Sequence, residues 1–296
     1  MKKYYIKVVF IILISILYII LGYSRSNAAK LNGWVTIGSK KYYYVNNIAV
    51  KGKYTVNENP RGTYYFSKKT GKMLSGWKTI NGEKYYFTKK SGMVTGYKII
   101  NGKGYYFESN GTMVYSKKVK GIVYGSSGEC LNLAKYKMAM KADTQTSKTN
   151  YLILVDYTTY NIALFKGYKG NWTLNAFSKC SYGRDTKVRL EPGEYTLGKR
   201  IQDNNGELYV NFKNNSKQQV SGYVYYTVPL LKNNISTGRY IHTTLYPKRQ
   251  CVVPKSYDDK QLGKTNTNGC IRTNLDIAKS IYDVYQQGTK VCIFRS

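Results

Sequence analysis

A short unit returns about every 20 residues between positions 31 and 115, and it constrains the fold more than anything else in the chain. Gly76-Trp77-Lys78-Thr79-Ile80-Asn81-Gly82-Glu83-Lys84-Tyr85-Tyr86-Phe87 comes back as Gly96-Tyr97-Lys98-Ile99-Ile100-Asn101-Gly102-Lys103-Gly104-Tyr105-Tyr106-Phe107. Gly33-Trp34 with Tyr42-Tyr43-Tyr44 is an earlier copy, and Tyr64-Tyr65-Phe66 belongs to a less complete one. Met73, Met93 and Met113 keep the same step. Short aromatic runs around Asn-Gly predict β-hairpins, because that dipeptide accepts the positive φ of a two-residue turn. A lone hairpin is marginal in water, so the fixed period predicts a solenoid that buries aromatic faces between neighbours.

Beyond the repeats the pattern changes. Leu131, Leu133, Ala134, Met138 and Met140 predict a short helix over Glu129–Lys141, and the polar run from Ala142 to Asn150 ends it. From Tyr151 onward, apolar runs separated by Gly, Asn and Lys predict strands at Tyr151–Tyr157, Asn161–Lys166, Trp172–Cys180, Glu194–Leu197, Leu208–Phe212 and Tyr223–Leu231. Many short strands with such turns indicate a β-sandwich or barrel-like sheet. One helix interrupts them, over Leu275–Gln287, with Asn274 as its cap and Gly288 as its stop; Thr289–Phe294 closes the sheet. The expected organisation is a leader at 1–29, repeats at 30–120, a linker with a short helix at 121–150 and a second domain at 151–296. The fold class is mainly β.

The leader has the parts of a secretory signal: Met1-Lys2-Lys3 and Lys7, a 14-residue apolar run from Val8 to Leu21, then small residues to Ala29. It is short for a spanning helix, although counting from Tyr4 to Tyr23 gives the length of an uncleaved anchor. Either way the chain is expected to be exported. A net charge of +32 favours polyanionic partners, and for an exported protein those are wall polymers and anionic headgroups, not nucleic acid. The five cysteines show no metal spacing and there is one histidine, so neither zinc nor a cofactor is expected. An odd cysteine count leaves at least one thiol free.

That histidine, His242, lies 28 residues before Cys270 in Thr267-Asn268-Gly269-Cys270-Ile271-Arg272. A thiol becomes a strong nucleophile once it loses its proton, and an imidazole is a common means of removing it. Gly269 lets the backbone approach a carbonyl, so the amides of Gly269 and Cys270 are candidate oxyanion donors. The helix start after Cys270 can lower a thiol pKa. Arg272 has three readings: a positive field at the sulfur, a clamp on a substrate carboxylate, or a surface ion pair.

The residues from Ile241-His242 to Gly269-Cys270-Ile271-Arg272, followed by a capped helix, resemble the L,D-transpeptidases with YkuD-type catalytic domains, which cross-link peptidoglycan stem peptides. The resemblance covers roughly Tyr151 to the C-terminus. It implies Cys270 as nucleophile, His242 as general base and the Thr243 carbonyl as the group that holds the imidazole tautomer. Three departures stand out: Asn268 replaces a usual histidine, the His-to-Cys spacer is longer, and a Thr-Pro-x-Gly turn survives only as Leu190-Glu191-Pro192-Gly193. Asn268 cannot take up a proton, so His242 is the one available imidazole base.

The Gly-Trp and Tyr-Tyr-Phe marks resemble the wall-binding repeats of choline-binding and glucan-binding proteins. The resemblance implies wall binding through Trp34, Tyr43, Tyr65, Trp77, Tyr86, Tyr97 and Tyr106. Choline would be caged by cation–π attraction. Tyr97 in place of a Trp, and the lysine excess, favour a hydroxyl-rich or anionic glycopolymer instead. The implied activity is transpeptidation through a Cys270 thioester, with peptidoglycan stem peptides as partners. Alternatives are an L,D-carboxypeptidase on the same site, a sortase-like transpeptidase, and a non-catalytic wall-binding protein with a degenerate site.

Overall fold

The computed structural model describes residues 30–184, 186–213, 219–250, 260 and 262–296. The leader expected at 1–29 and Cys251 lie outside these residues. None of the helices among them is long and apolar enough to cross a membrane. The chain divides into two compact units, one running to Gly96 with Phe107–Met113, the other comprising Tyr97–Tyr106 and Val114–Ser296.

In the first unit each repeat is a hairpin with a short third strand. The sheets are β1 (Gly33–Ile37), β2 (Lys40–Val45) and β3 (Ile48–Ala49); β4 (Gly52–Val56), β5 (Gly62–Phe66) and β6 (Met73–Leu74); β7 (Gly76–Ile80), β8 (Glu83–Thr88) and β9 (Gly92–Met93). β10 (Gly96–Ile100) and β11 (Lys103–Phe107) make a fourth hairpin, whose residues Tyr97–Tyr106 belong to the second unit. Asn81-Gly82 and Asn101-Gly102 take positive φ at both positions, as the two-residue turn requires. The register puts Trp34 opposite Tyr43 and Trp77 opposite Tyr86. Rings also join successive hairpins: Trp34 meets Tyr64 at 4.8 Å, Tyr65 meets Phe87 at 5.6 Å and Trp77 meets Phe107 at 5.8 Å between centroids. Such pairs add to area burial, which is how a hairpin too small to stand alone is held.

The second unit adds β12 (Lys117–Val119), β13 (Ile122–Tyr124), α1 (Leu133–Ala142), β14 (Tyr151–Asp156), β15 (Asn161–Lys166), β16 (Thr173–Gly183), β17 (Gly193–Leu197), β18 (Leu208–Lys213) and β19 (Gln219–Val224). It continues with β20 (Val228–Lys232), β21 (Ile235–His242), β22 (Thr265–Thr267), β23 (Ile271–Thr273), α2 (Leu275–Asp283) and β24 (Lys290–Phe294). Its main sheet runs β15-β14-β24-β17-β20-β21-β23-β16-β22, and β15 also pairs with β16. That last pairing closes the sheet into a barrel, with β22 left outside the ring. β18 and β19 form a separate hairpin.

Period-two alternation explains why Tyr151–Asp156 reads as an unbroken apolar run. Ile153 and Val155 point into one core with Ile162, Leu164, Ile241, Ile271, Val291 and the α2 residues Ile277, Ala278 and Ile281. Leu152 and Leu154 point into the other, with Ala163, Phe165, Trp172, Ile122, Tyr124 and the α1 residues Tyr136, Met138 and Ala139. A strand buried on both faces has no polar side to show. The segment 121–150, expected as a linker, thus contributes a hairpin strand and a helix to a core.

Several element boundaries differ from expectation, such as β16, expected at Trp172–Cys180 and found at Thr173–Gly183. The expected strand Tyr223–Leu231 is two strands, parted where Tyr226 takes φ 52°. The C-terminal helix ends at Asp283, four residues before Gln287. The linker helix begins at Leu133 because Asn132 caps it, its side-chain oxygen accepting from the Lys135 amide.

Candidate active site

β21 and β23 run parallel in register, with Ile241 opposite Ile271 and His242 opposite Arg272. Extending that register by one residue sets Cys270 opposite Tyr240. Alternation then puts Tyr240, His242 and Arg272 on one face, and Cys270 lies in the bend that leads directly into β23.

His242 is buried, at 6% exposure. Its Nδ1 lies 2.6 Å from the Thr243 carbonyl, which can only accept, so Nδ1 carries the proton and Nε2 the lone pair. Thr243 is itself fixed: its amide donates to the Tyr225 carbonyl at 3.1 Å, and its hydroxyl accepts from the Tyr225 amide at 3.0 Å. Burial pushes the His242 pKa down to about 4; the Thr243 carbonyl opposes this and the Arg272 cation adds to it. The imidazole is therefore neutral at pH 7, as a base must be.

Burial pushes the Cys270 thiol up, against the Tyr240 main chain, Arg239 and Arg272, which all pull it down. The helix-start effect expected at Cys270 does not dominate: β23 intervenes, and α2 spends its first turn on its own cap, Asn274 accepting from the Ile277 amide at 3.2 Å. Both groups are thus neutral at rest.

The turn before the thiol is tied internally. The Thr267 hydroxyl donates to the Cys270 carbonyl at 2.6 Å and accepts from the Gly269 amide at 3.2 Å. That bond occupies the Gly269 amide expected as an oxyanion donor. Asn268 is half-buried. Cys130, Cys180, Cys270 and Cys292 are all free thiols; Cys180 is fully buried and burial raises it beyond the range in which a thiol ionises in water.

Residues 150–293 match the family model of the L,D-transpeptidase catalytic domain, YkuD, and residues 74–117 match the choline-binding repeat. The chain joins a YkuD-type domain to choline-binding repeats. No curated protein matches it. Solved structures do: CbpJ from Streptococcus pneumoniae (28% identity over 36% of each chain, TM-score 0.32) and an L,D-transpeptidase from Mycobacterium smegmatis (15%, 49% of this chain and 58% of that one, 0.36). A fused Zn-dependent amidase/peptidase/peptidoglycan-binding protein from Clostridium acetobutylicum aligns at 21% identity over 55% of this chain and 59% of that one, with TM-score 0.34. The alignments therefore span between 36% and 59% of these relatives' own lengths.

Within the YkuD-type domain the sequence reading passed over Arg239. Its Nε donates to the Val188 carbonyl at 3.0 Å, and its side chain lies directly against Gly269. Three places before a histidine in a strand, it reads as an ordinary outward cation; its one signal is the glycine it leans on.

Among the repeat residues, Trp77 is exposed, while Trp34, Tyr65, Tyr86, Tyr97 and Tyr106 are half-buried. Tyr43 is buried at 7% exposure, with its hydroxyl on the Glu58 carboxylate, which raises that phenol to about 12. Three of the repeats' aromatic rings already carry the chain's own ammonium groups. Lys53 Nζ sits 4.7 Å from the Tyr85 ring centre, and Lys120 Nζ sits 5.8 Å from both Tyr97 and Tyr106.

Proposed function

We propose that this protein is an exported peptidoglycan L,D-transpeptidase held at the wall by its repeats. The observation that carries the reading is His242, neutral and with Nε2 as its basic nitrogen, at the end of a strand paired with the strand that starts directly after Cys270. Nε2 takes the thiol proton as Sγ attacks the carbonyl carbon of the third residue in a donor tetrapeptide stem. The tetrahedral oxyanion is met by the Cys270 amide and the field of Arg272. Collapse breaks the peptide bond to the terminal D-alanine, whose amine leaves with the proton from His242. The thioester is then attacked by an amine of a neighbouring stem, the thiol is regenerated and an L,D cross-link forms. Water in place of that amine gives the L,D-carboxypeptidase outcome on the same residues.

The repeats supply retention. With ammonium groups of Lys53 and Lys120 on tyrosine faces, those faces suit a hydroxyl-rich or anionic glycopolymer better than a free quaternary ammonium. Export rests on the sequence of the first 29 residues.

The test is product analysis of the mature protein with a disaccharide-tetrapeptide. A cross-linked dimer with loss of D-alanine supports transpeptidation, and trimmed tripeptide alone makes the protein a carboxypeptidase. Absence of both products, in protein that still binds walls, returns the reading to a wall-binding protein with a degenerate site.

A further inference from the structure

Gly269 takes φ 115°, and a Cβ added there would come within 2.2 Å of both Arg239 Nε and the Val188 carbonyl oxygen. The Arg239 side chain therefore crosses the Cα of the residue that precedes the nucleophile. Nε donates to Val188 at 3.0 Å and Nη1 to the Gly238 carbonyl at 3.2 Å, so the guanidinium is held at both ends. The planar fork allows this arrangement, which the single Nζ of a lysine cannot reproduce. Only a glycine leaves room for a guanidinium and a carbonyl at that distance.

We propose that Arg239 is the positioning residue of the nucleophile turn, clamping Gly269–Cys270 against Val188 and supplying positive charge beside the sulfur. The inference rests on Cys270 being the reacting group. The charged groups that act on the thiol are Arg239 from β21 and Arg272 from β23, and His242 stands opposite Arg272 in the ladder. Arg239 pulls the thiol down against burial, which agrees with the geometry. An opposite charge near an ionising group shifts it by about one unit or more, or about tenfold in thiolate population.

The experiment follows alkylation of Cys270 by iodoacetamide from about pH 5 to about pH 10, by peptide mass mapping, in the full chain and in Arg239→Gln and Arg239→Lys. Half-buried Cys130 is the internal control for folding. Arg239→Gln is expected to slow Cys270 about tenfold at neutral pH and to move its profile to higher pH, with Cys130 unchanged. Arg239→Lys is expected to recover the pH profile while turnover of a disaccharide-tetrapeptide stays low in kcat at unaltered KM. A Cys270 profile in Arg239→Gln that overlays the wild type overturns the proposal. So does full turnover in Arg239→Lys, the decisive arm if the glutamine variant does not fold. Alkylation uses no stem peptide, so a shifted profile in a protein that leaves stems untouched sinks the transpeptidase reading and supports the clamp.

Discussion

His242 donates from Nδ1 to the carbonyl of Thr243, the residue directly after it, at 2.6 Å. A histidine bonded to its own neighbour's carbonyl has its tautomer and ring orientation fixed together, with no carboxylate required. Thr243 is in turn held by two hydrogen bonds to Tyr225, so the imidazole is oriented through the main chain. Removing the imidazole, as in His242→Ala, should lower turnover of a disaccharide-tetrapeptide about 10²–10⁴-fold. Residual activity should rise with pH as the thiol ionises without help; steady-state rates across alkaline pH check this. Unchanged activity would take His242 out of the mechanism.

The same histidine should make the fold acid-sensitive. Its folded pKa, about 4, lies below the ordinary value of 6.5, so the unfolded chain binds the extra proton. Its share of stability is therefore complete above about pH 6.5 and is lost as pH falls towards about 4, a difference of about 3 kcal/mol. Denaturant unfolding at several pH values should show that slope. His242→Gln should flatten it.

Gly269→Ala should be costly for two separate reasons, its φ of 115° and the atoms 2.2 Å from the new methyl. Strain of this kind is worth about 1–3 kcal/mol before any clash is counted. Pairing it with Arg239→Ala should recover only part of the loss, because the Val188 carbonyl belongs to the backbone and stays. Denaturant midpoints of the two single variants and the double variant measure this; full recovery would mean that the backbone contact is unimportant.

Wall retention should depend on charge. Binding to purified walls should fall when their anionic polymers are stripped, and should weaken with added salt as surface charges are screened. A sedimentation assay on both kinds of wall decides it. Equal binding would remove the charge argument and leave the aromatic faces alone.

The parts of the fold that were legible in the sequence are those written locally. Asn81-Gly82 and Asn101-Gly102 announce their hairpins because their positive φ needs those residues. Tyr151–Asp156 announces a buried strand because both of its faces are apolar. Barrel closure through β15 and β16 has no local signature, since a pairing between strands says nothing about where the sheet ends. Nor did the break at Tyr226, where a bulky residue takes a left-handed conformation that composition does not suggest. Lys120-Gly121 did carry a signal: both take positive φ and join β12 to β13, yet a lysine in the first turn position hides the hairpin among so many lysines. At the site, His242 and Cys270 stood out as the one histidine and the thiol after a glycine. Arg239 did not, because its importance lies in a contact with a residue 30 positions away.

The most direct test is intact-protein mass spectrometry of the mature chain incubated with a disaccharide-tetrapeptide, with Cys270→Ala alongside. The account predicts an acyl adduct that equals the donor less D-alanine, maps to Cys270 and is absent from the alanine variant. An adduct on any other residue, or identical spectra from the two proteins with product still forming, would contradict it.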